Sequence, residues 1–535
     1  MENIDTNKRL LLAFVLSFLV LAVYSYLVPQ KKMVNSEVNK TKQEQVQKEA
    51  PKVAQAQTAN SAPIVKDSAK SAPITKNAKA NIIATVDTKR YTLTIDNLGR
   101  FNSIILKNKK YKTKDGKPID ILANTPVKPL EIRFADSNIN NLAFKNSYTI
   151  SSNRVDATKS AQKVELSQNL GEITLKKIIT FYPDGNYNLR VELSKPVQYF
   201  ITPGFRPLVD KTMYLVVRGV LLRDTNGVIK TFEKGDVDNV QNFNNILIAA
   251  GIDRYYANIF YSNKPFQAIV QPILVNGKKE PLVFINANTN LDINGYSGPK
   301  EWDLFSKLDP KLTDVIEFGW FTFLAKPFFK VMNAIYKFVG NWGWAIVLFT
   351  ILVKLVLFPL SYKGLMSMQK MKDLAPKMKE IREKYANDPA KMNQQMMALY
   401  KKHGVNPLGG CLPMLIQIPI FFALYRVLLN ADELQGAPWI LWIHDLSRMD
   451  PYFVLPILMG ATMYIQQKLT PNNMTDPMQQ KIFNLLPVIM TIFFVTFPSG
   501  LVLYWLTNNI LTIAQQVYIN KAYERYKQSM KAKAK

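Results

Sequence analysis

The chain has 535 residues and a formal net charge of +28, from 68 Lys and Arg against 40 Asp and Glu. One cysteine, Cys411, excludes an internal disulfide and a Cys-based metal site, and the two histidines, His403 and His444, are too few for a side-chain zinc or iron centre. A basic chain fits nucleic acid or an anionic membrane surface, and the distribution of the charge decides between them.

Lys8 and Arg9 precede Leu10–Val28, nineteen residues without a charge and without an A-x-A-like site after them. Tyr24 and Tyr26 suit an interfacial end, so the expectation is an uncleaved anchor with its amino end in the cytoplasm. Residues 30–80 contain no aromatic and carry the near-repeat SAPIVKDSAK, SAPITKNAKA. A stretch so poor in apolar area cannot offset its ordering entropy and reads as a disordered tether.

From residue 82 the pattern turns to period two. Tyr91, Leu93 and Ile95 alternate with threonines. Ile173, Leu175, Ile179 and Phe181 share one parity, interrupted by Lys177. After the turn Pro183–Asn186, the residues Tyr187, Leu189, Val191 and Leu193 alternate again, which is a hairpin pattern. Further short runs fall at Met213–Val217 and Leu282–Ile285. Residues 82–317 are expected to form one large all-β domain, a sandwich, with no acid pair that commits it to chemistry.

Residues 318–340 hold an aromatic-rich stretch in which Phe328, Met332, Ile335, Tyr336 and Val339 recur at helical spacing among Lys326, Lys330 and Lys337. This suits an amphipathic helix in the membrane interface; packing on the β domain is the alternative. Next, Trp342–Leu360 holds nineteen residues with Lys354 as the sole charge. That length spans roughly 28 Å, close to a bilayer core. Four more apolar stretches follow, Leu408–Leu429, Tyr452–Gln467, Ile482–Phe497 and Leu501–Ile519, making six spans with the anchor.

Charge sorts by side. Loop 363–406 holds ten Lys or Arg against four acids; loop 431–451 holds Arg448 against Asp432, Glu433, Asp445 and Asp450; tail 520–535 holds six basic residues and Glu524. The positive-inside rule makes the first and third cytoplasmic and places the β domain on the outer face. Within loop 363–406, Leu374, Met378, Ile381 and Tyr385 line one helical face. Asp388-Pro389 starts a second helix through Met392, Met396 and Leu399, so a helical hairpin is expected.

A charge within a span is costly by about 2.5–3.5 kcal/mol and marks a functional candidate. Thr350 lies one turn from Lys354; Gln417 lies between Pro413 and Pro419; and the last span carries Trp505, Thr507, Asn508, Asn509, Gln515 and Gln516. Four roles are open for Lys354: snorkelling to the interface, a serine–lysine dyad, an ion- or proton-coupled transporter, and a cationic wet groove for polar or acidic peptide. No span contains Asp or Glu, and Ser361 and Ser499 lie at span ends.

The segments VGNWGWAIVLFTILVKLVLFPL, MMALYKKHGVNPLGGCLPMLIQIPIFFALY, APWILWIHDLS, DPYFVLPILMG, TDPMQQKI and FPSGLVLYWLTNN resemble the YidC/Oxa family of membrane protein insertases over roughly residues 318–520. The anchor (1–29), the tether (30–81) and the β domain (82–317) resemble its Gram-negative layout. The resemblance implies a super-sandwich domain in the periplasm and a five-helix core over 341–520, with the basic tail 521–535 in the cytoplasm of an inner-membrane protein. It implies a positively charged groove that admits the polar part of a nascent chain. Groove positions fall on Thr350, Lys354 and Gln417, with Tyr504 and Trp505 as contacts. The family usually has arginine where this chain has Lys354, and often an aromatic where it has Thr496, which receives no role. The implied partners are nascent membrane proteins, the Sec translocon and its accessory subunits, and the lipid bilayer. The ribosome or signal-recognition pathway would dock through hairpin 363–406 and the tail, with ribosomal RNA as the sole nucleic-acid contact. No phosphate-binding glycine loop is present, so no cofactor and no enzymatic activity are expected; a coupled solute transporter using Lys354 is the rival.

Overall fold

The computed structural model describes residues 81–533, apart from 114, 211, 213, 215, 406–411 and 471–476. The expected anchor Leu10–Val28 and the tether lie outside the described residues.

Among the described residues, sixteen strands between Ile82 and Pro299 form a four-stranded and a twelve-stranded sheet. Alternation dictates which face is buried. In Thr174–Phe181 every second side chain is enclosed, and the strand pairs antiparallel with Asn186–Leu193, as the hairpin pattern predicts. Lys177 does not interrupt that parity. It stays in register, fully buried, and its Nζ donates to the carbonyls of Gly99 (3.0 Å) and Leu130 (2.8 Å) above the Tyr148 ring. Desolvation pulls the Lys177 ammonium down to about 7. The turn needs Gly185, whose φ is +85° and whose carbonyl accepts from the Tyr91 hydroxyl at 2.8 Å. Of the expected run Met213–Val217, Met213 and Leu215 lie outside the described residues, Val216 and Val217 lie outside any strand, and the strand that follows is Gly219–Asp224.

The described helices are α1 (Ser137–Lys145), α2 (Trp302–Leu308), α3 (Thr322–Val339), α4 (Trp342–Lys384), α5 (Pro389–Lys402), α6 (Leu412–Asn430), α7 (Val454–Leu469), α8 (Pro477–Phe494) and α9 (Ser499–Lys533). Helix α1 packs within the β domain; the rest follow it. Among the described residues, α4 is the helix long and apolar enough by itself to cross a membrane.

Two expectations about these helices change. The span Trp342–Leu360 and the first arm of the hairpin are one continuous 43-residue helix, because Pro359 and Pro376 are carried inside it without ending it. Its start is set by Asn341, whose side chain accepts from the Trp344 N–H. The second arm, α5, begins where Asp388 accepts from the Lys391 N–H, as its sequence predicts. Likewise α9 runs 35 residues, well past the apolar stretch 501–519.

Helix α3 buries Ala325, Phe329, Met332 and Asn333, and the rest of the predicted stripe, Phe328, Ile335, Tyr336 and Val339, is half-buried against the same core. Its inner face meets protein: Phe329 lies against Trp302 and Trp342, and Tyr336 stacks on Trp342 at 4.4 Å. Phe323 and Phe338 remain outward. One continuous apolar core therefore runs from the β domain (Tyr296, Phe305, Phe318) through α3 to α4, α6, α7 and α9.

A polar seam beside that core joins the two regions. Tyr111 donates to Asp432 at 2.7 Å and Lys110 pairs with the same oxygen at 2.8 Å. Arg254, sandwiched between the Tyr214 and Tyr255 rings, donates to the Leu429 carbonyl at 2.8 Å. In the same loop region, buried Asp450 accepts from Trp442 Nε1 and the Leu455 N–H and so starts α7.

Candidate functional site

Helix α4 carries Lys354 on the face it turns toward α9. The Lys354 Nζ donates to Thr512 Oγ1 at 2.9 Å, which directs the half-buried side chain across the helix interface and not along α4 to its end. Thr512 has already spent its own proton: its hydroxyl donates to the Asn508 carbonyl at 2.6 Å, one turn back. The hydroxyl oxygen is therefore left as an acceptor, the polarity that an ammonium requires. Gln417 on α6 completes the constellation by donating through Nε2 to Asn508 Oδ1 at 2.9 Å. It also meets the Tyr504 side chain.

Helices α4 and α6 thus reach α9 one turn apart, at Thr512 and Asn508. Tyr504, Asn508 and Thr512 repeat every four residues and form one stripe of α9. The neighbouring stripe faces elsewhere: Asn509 donates to the Met459 carbonyl of α7 at 3.3 Å, so the polar residues of the last helix divide between two partners. Farther along α9, Gln516 and Gln369 of α4 both donate to Asn520 Oδ1, and Asp373 accepts from Tyr523 (3.0 Å) and Lys527 (2.9 Å). Among the described residues no carboxylate contacts Lys354, and the partner it does meet is the neutral Thr512 hydroxyl.

The structure brings Lys354 and Gln417 to the same stripe and places Tyr504 beside them, buried. It separates the other two expected residues. Thr350 is 2% exposed, and its hydroxyl donates back to the Ile346 carbonyl at 2.7 Å. Trp505 packs among Phe421 (4.7 Å) and Phe494 (4.9 Å) in the apolar core. Thr512 was absent from the sequence expectation. The signal that could have found it is the four-residue step from Tyr504 through Asn508. Ser499 is held by the Arg448 carbonyl at the far end of α9, which leaves it no part in a dyad with Lys354. His444 and His403 fall outside regular helix and strand.

A helical region that holds α4, long and apolar enough to cross a membrane, and that shares one core with a large β domain gives the class: a membrane-associated helical bundle joined to a globular β domain. The family model described as the 60Kd inner membrane protein matches residues 334–528, and that of the YidC periplasmic domain matches residues 258–331. The chain is 45% identical over 529 residues to the membrane protein insertase YidC of Campylobacter jejuni, covering 98% of each chain. It is 46% identical to that of Wolinella succinogenes (99% of this chain, 98% of that one) and 44% identical to that of Helicobacter pylori (98% of each). This chain belongs to the YidC family of membrane protein insertases. The family is one of insertases, not enzymes, and no relative named here supports the transporter reading.

Proposed function

We propose that this protein inserts nascent integral membrane proteins into the bacterial inner membrane by admitting their polar segments between α4, α6 and α9 at Lys354. The observation that carries this reading is the Lys354–Thr512 bond beside the Gln417–Asn508 pair, a cation and amides with no acid against them among the described residues. At an effective dielectric near 20, a substrate carboxylate about 4 Å from the ammonium gains about 4 kcal/mol before desolvation, enough to draw in an acidic tail and weak enough to release it. Lys354, Gln417 and Tyr504 form the working face; Thr350 and Trp505 support it from behind.

The charge of loop 363–406 and of the tail supports six spans with both termini cytoplasmic. The anchor 1–29, tether 30–81, β domain 82–317, linking helix 318–340 and core 341–520 are the corresponding units. The basic hairpin and tail suit docking of the ribosome or a targeting factor, and the periplasmic face suits the Sec translocon. The test is site-specific crosslinking to a stalled nascent chain from Gln417, Asn508, Thr350 and Trp505. Adducts from Gln417 and Asn508 are expected; their absence while Trp505 crosslinks strongly would overturn this working face.

A further inference from the structure

We infer that Thr512 is a positioning residue for Lys354: it fixes where the ammonium sits and so sets how strongly the protein favours substrates with acidic translocated segments. The inference rests on the function proposed above and goes beyond it by assigning the selectivity for charge to a hydroxyl on α9.

The argument starts from donors and acceptors. A lysine ammonium has three N–H donors on a flexible stem and adopts whichever acceptor is in reach. Within an apolar helix bundle, an unrestrained lysine would extend toward the aqueous end of its helix. Here one acceptor holds it, Thr512 Oγ1 at 2.9 Å. That acceptor is itself locked, because its proton is committed to the Asn508 carbonyl at 2.6 Å and the Asn508 side chain is engaged by Gln417 at 2.9 Å. The ammonium is thereby pinned between α4 and α9, with two donors that meet no acceptor among the described residues. A neutral acceptor holds the cation without cancelling its charge, which an aspartate or glutamate at this place would do. A hydroxyl at 512 is therefore the chemistry that combines a fixed position with an undiminished field.

Substitutions separate this role from packing. Thr512→Val keeps the shape and removes the acceptor; Thr512→Ser keeps the acceptor and removes a methyl group. The full-length protein is reconstituted in vesicles of anionic and zwitterionic lipid. It is given a single-span substrate whose short translocated tail is acidic, or the same substrate with that tail made neutral by Asn and Gln, and protease protection of the tail is scored. The expected result is a several-fold loss for Thr512→Val on the acidic tail, little change on the neutral tail, and recovery in Thr512→Ser. Wild-type insertion of the acidic tail by Thr512→Val would overturn the inference, and so would an equal loss on both tails, which marks a packing role. Lys354→Ala is run beside them. If it inserts the acidic tail normally, the function proposed for Lys354 fails; if it is defective while Thr512→Val is not, the assignment of Thr512 alone fails.

Discussion

The main-chain N–H of Trp302, in the helix that follows the last strand, donates to the carboxylate of Glu433 at 2.8 Å, across 131 positions of sequence. Glu433 sits with Asp432 in the short turn Asp432–Leu434 that follows α6, so this bond ties the β domain directly to the helical core. Around it stand Asp432, Glu301, Tyr111, Lys110 and Arg90, with the Tyr111 hydroxyl within hydrogen-bond distance of both Asp432 (2.7 Å) and Glu301 (2.9 Å).

This seam makes docking depend on pH. Burial, reinforced by the Asp432 charge, pushes the Glu433 carboxyl up from 4.5 to about 8. Burial also raises Asp432, against the pull of Lys110. The folded protein therefore keeps protons that the unfolded chain releases near 4.5. Wherever the folded state binds more protons, stability falls as pH rises, here from about 4.5 to about 8. Thermal unfolding of the detergent-solubilised protein is expected to show a midpoint that declines across this window, and Glu433→Gln is expected to flatten the decline. A parallel slope in the variant would place the titration elsewhere.

Lys354→Ala is expected to lower insertion of a short protein with an acidic translocated tail about ten-fold or more, equivalent to about 1.4 kcal/mol or more. Lys354→Arg keeps the positive potential and is expected to retain most of the activity. Protease protection of the β domain serves as the folding control, and full activity of the alanine variant would reduce Lys354 to a packing residue.

Gly460 lets α7 and α8 approach closely. A methyl group there would run into the Thr491 hydroxyl, which donates to the Pro487 carbonyl at 2.8 Å. Gly460→Ala is expected to cost about 1–3 kcal/mol in a denaturant titration. Adding Thr491→Ala removes the obstructing oxygen and is expected to recover much of that loss, a coupling that two independent sites would not show.

The C-terminal half of α4 is fastened by Asp373 to Tyr523 and Lys527 of α9. Asp373→Asn is expected to weaken this fastening and raise amide hydrogen exchange in residues 363–384, with little change in the β domain. Unchanged exchange in the hairpin arm would mean that the apolar contacts of Leu374 and Met378 with Val405 hold it alone.

The pattern of residues in the chain by itself determined much of the organisation. Period-two alternation specified the β hairpin at 174–193 because a strand exposes every second side chain to one face. The sorting of lysines between loops is the basis for the two-sided topology proposed above, and Lys354, the sole charge in an apolar run, is the basis for the proposed site. Period alone did not reveal that Lys177 is a core residue. Its two carbonyl partners, Gly99 and Leu130, come from distant segments that the sheets bring together.

Tertiary structure decided the rest because each of those questions turned on a partner far away in sequence. Trp505 and Thr350 have the chemistry of site residues, yet neighbouring rings claim one and a helix carbonyl the other. Thr512 looks ordinary in the chain and becomes the ligand of Lys354 because α4 and α9 pack face to face. Hydrophobic period sets which elements form and which side they bury. The identity of the group that satisfies a buried charge is set by the packing of separate helices, and the local sequence of either helix does not contain it.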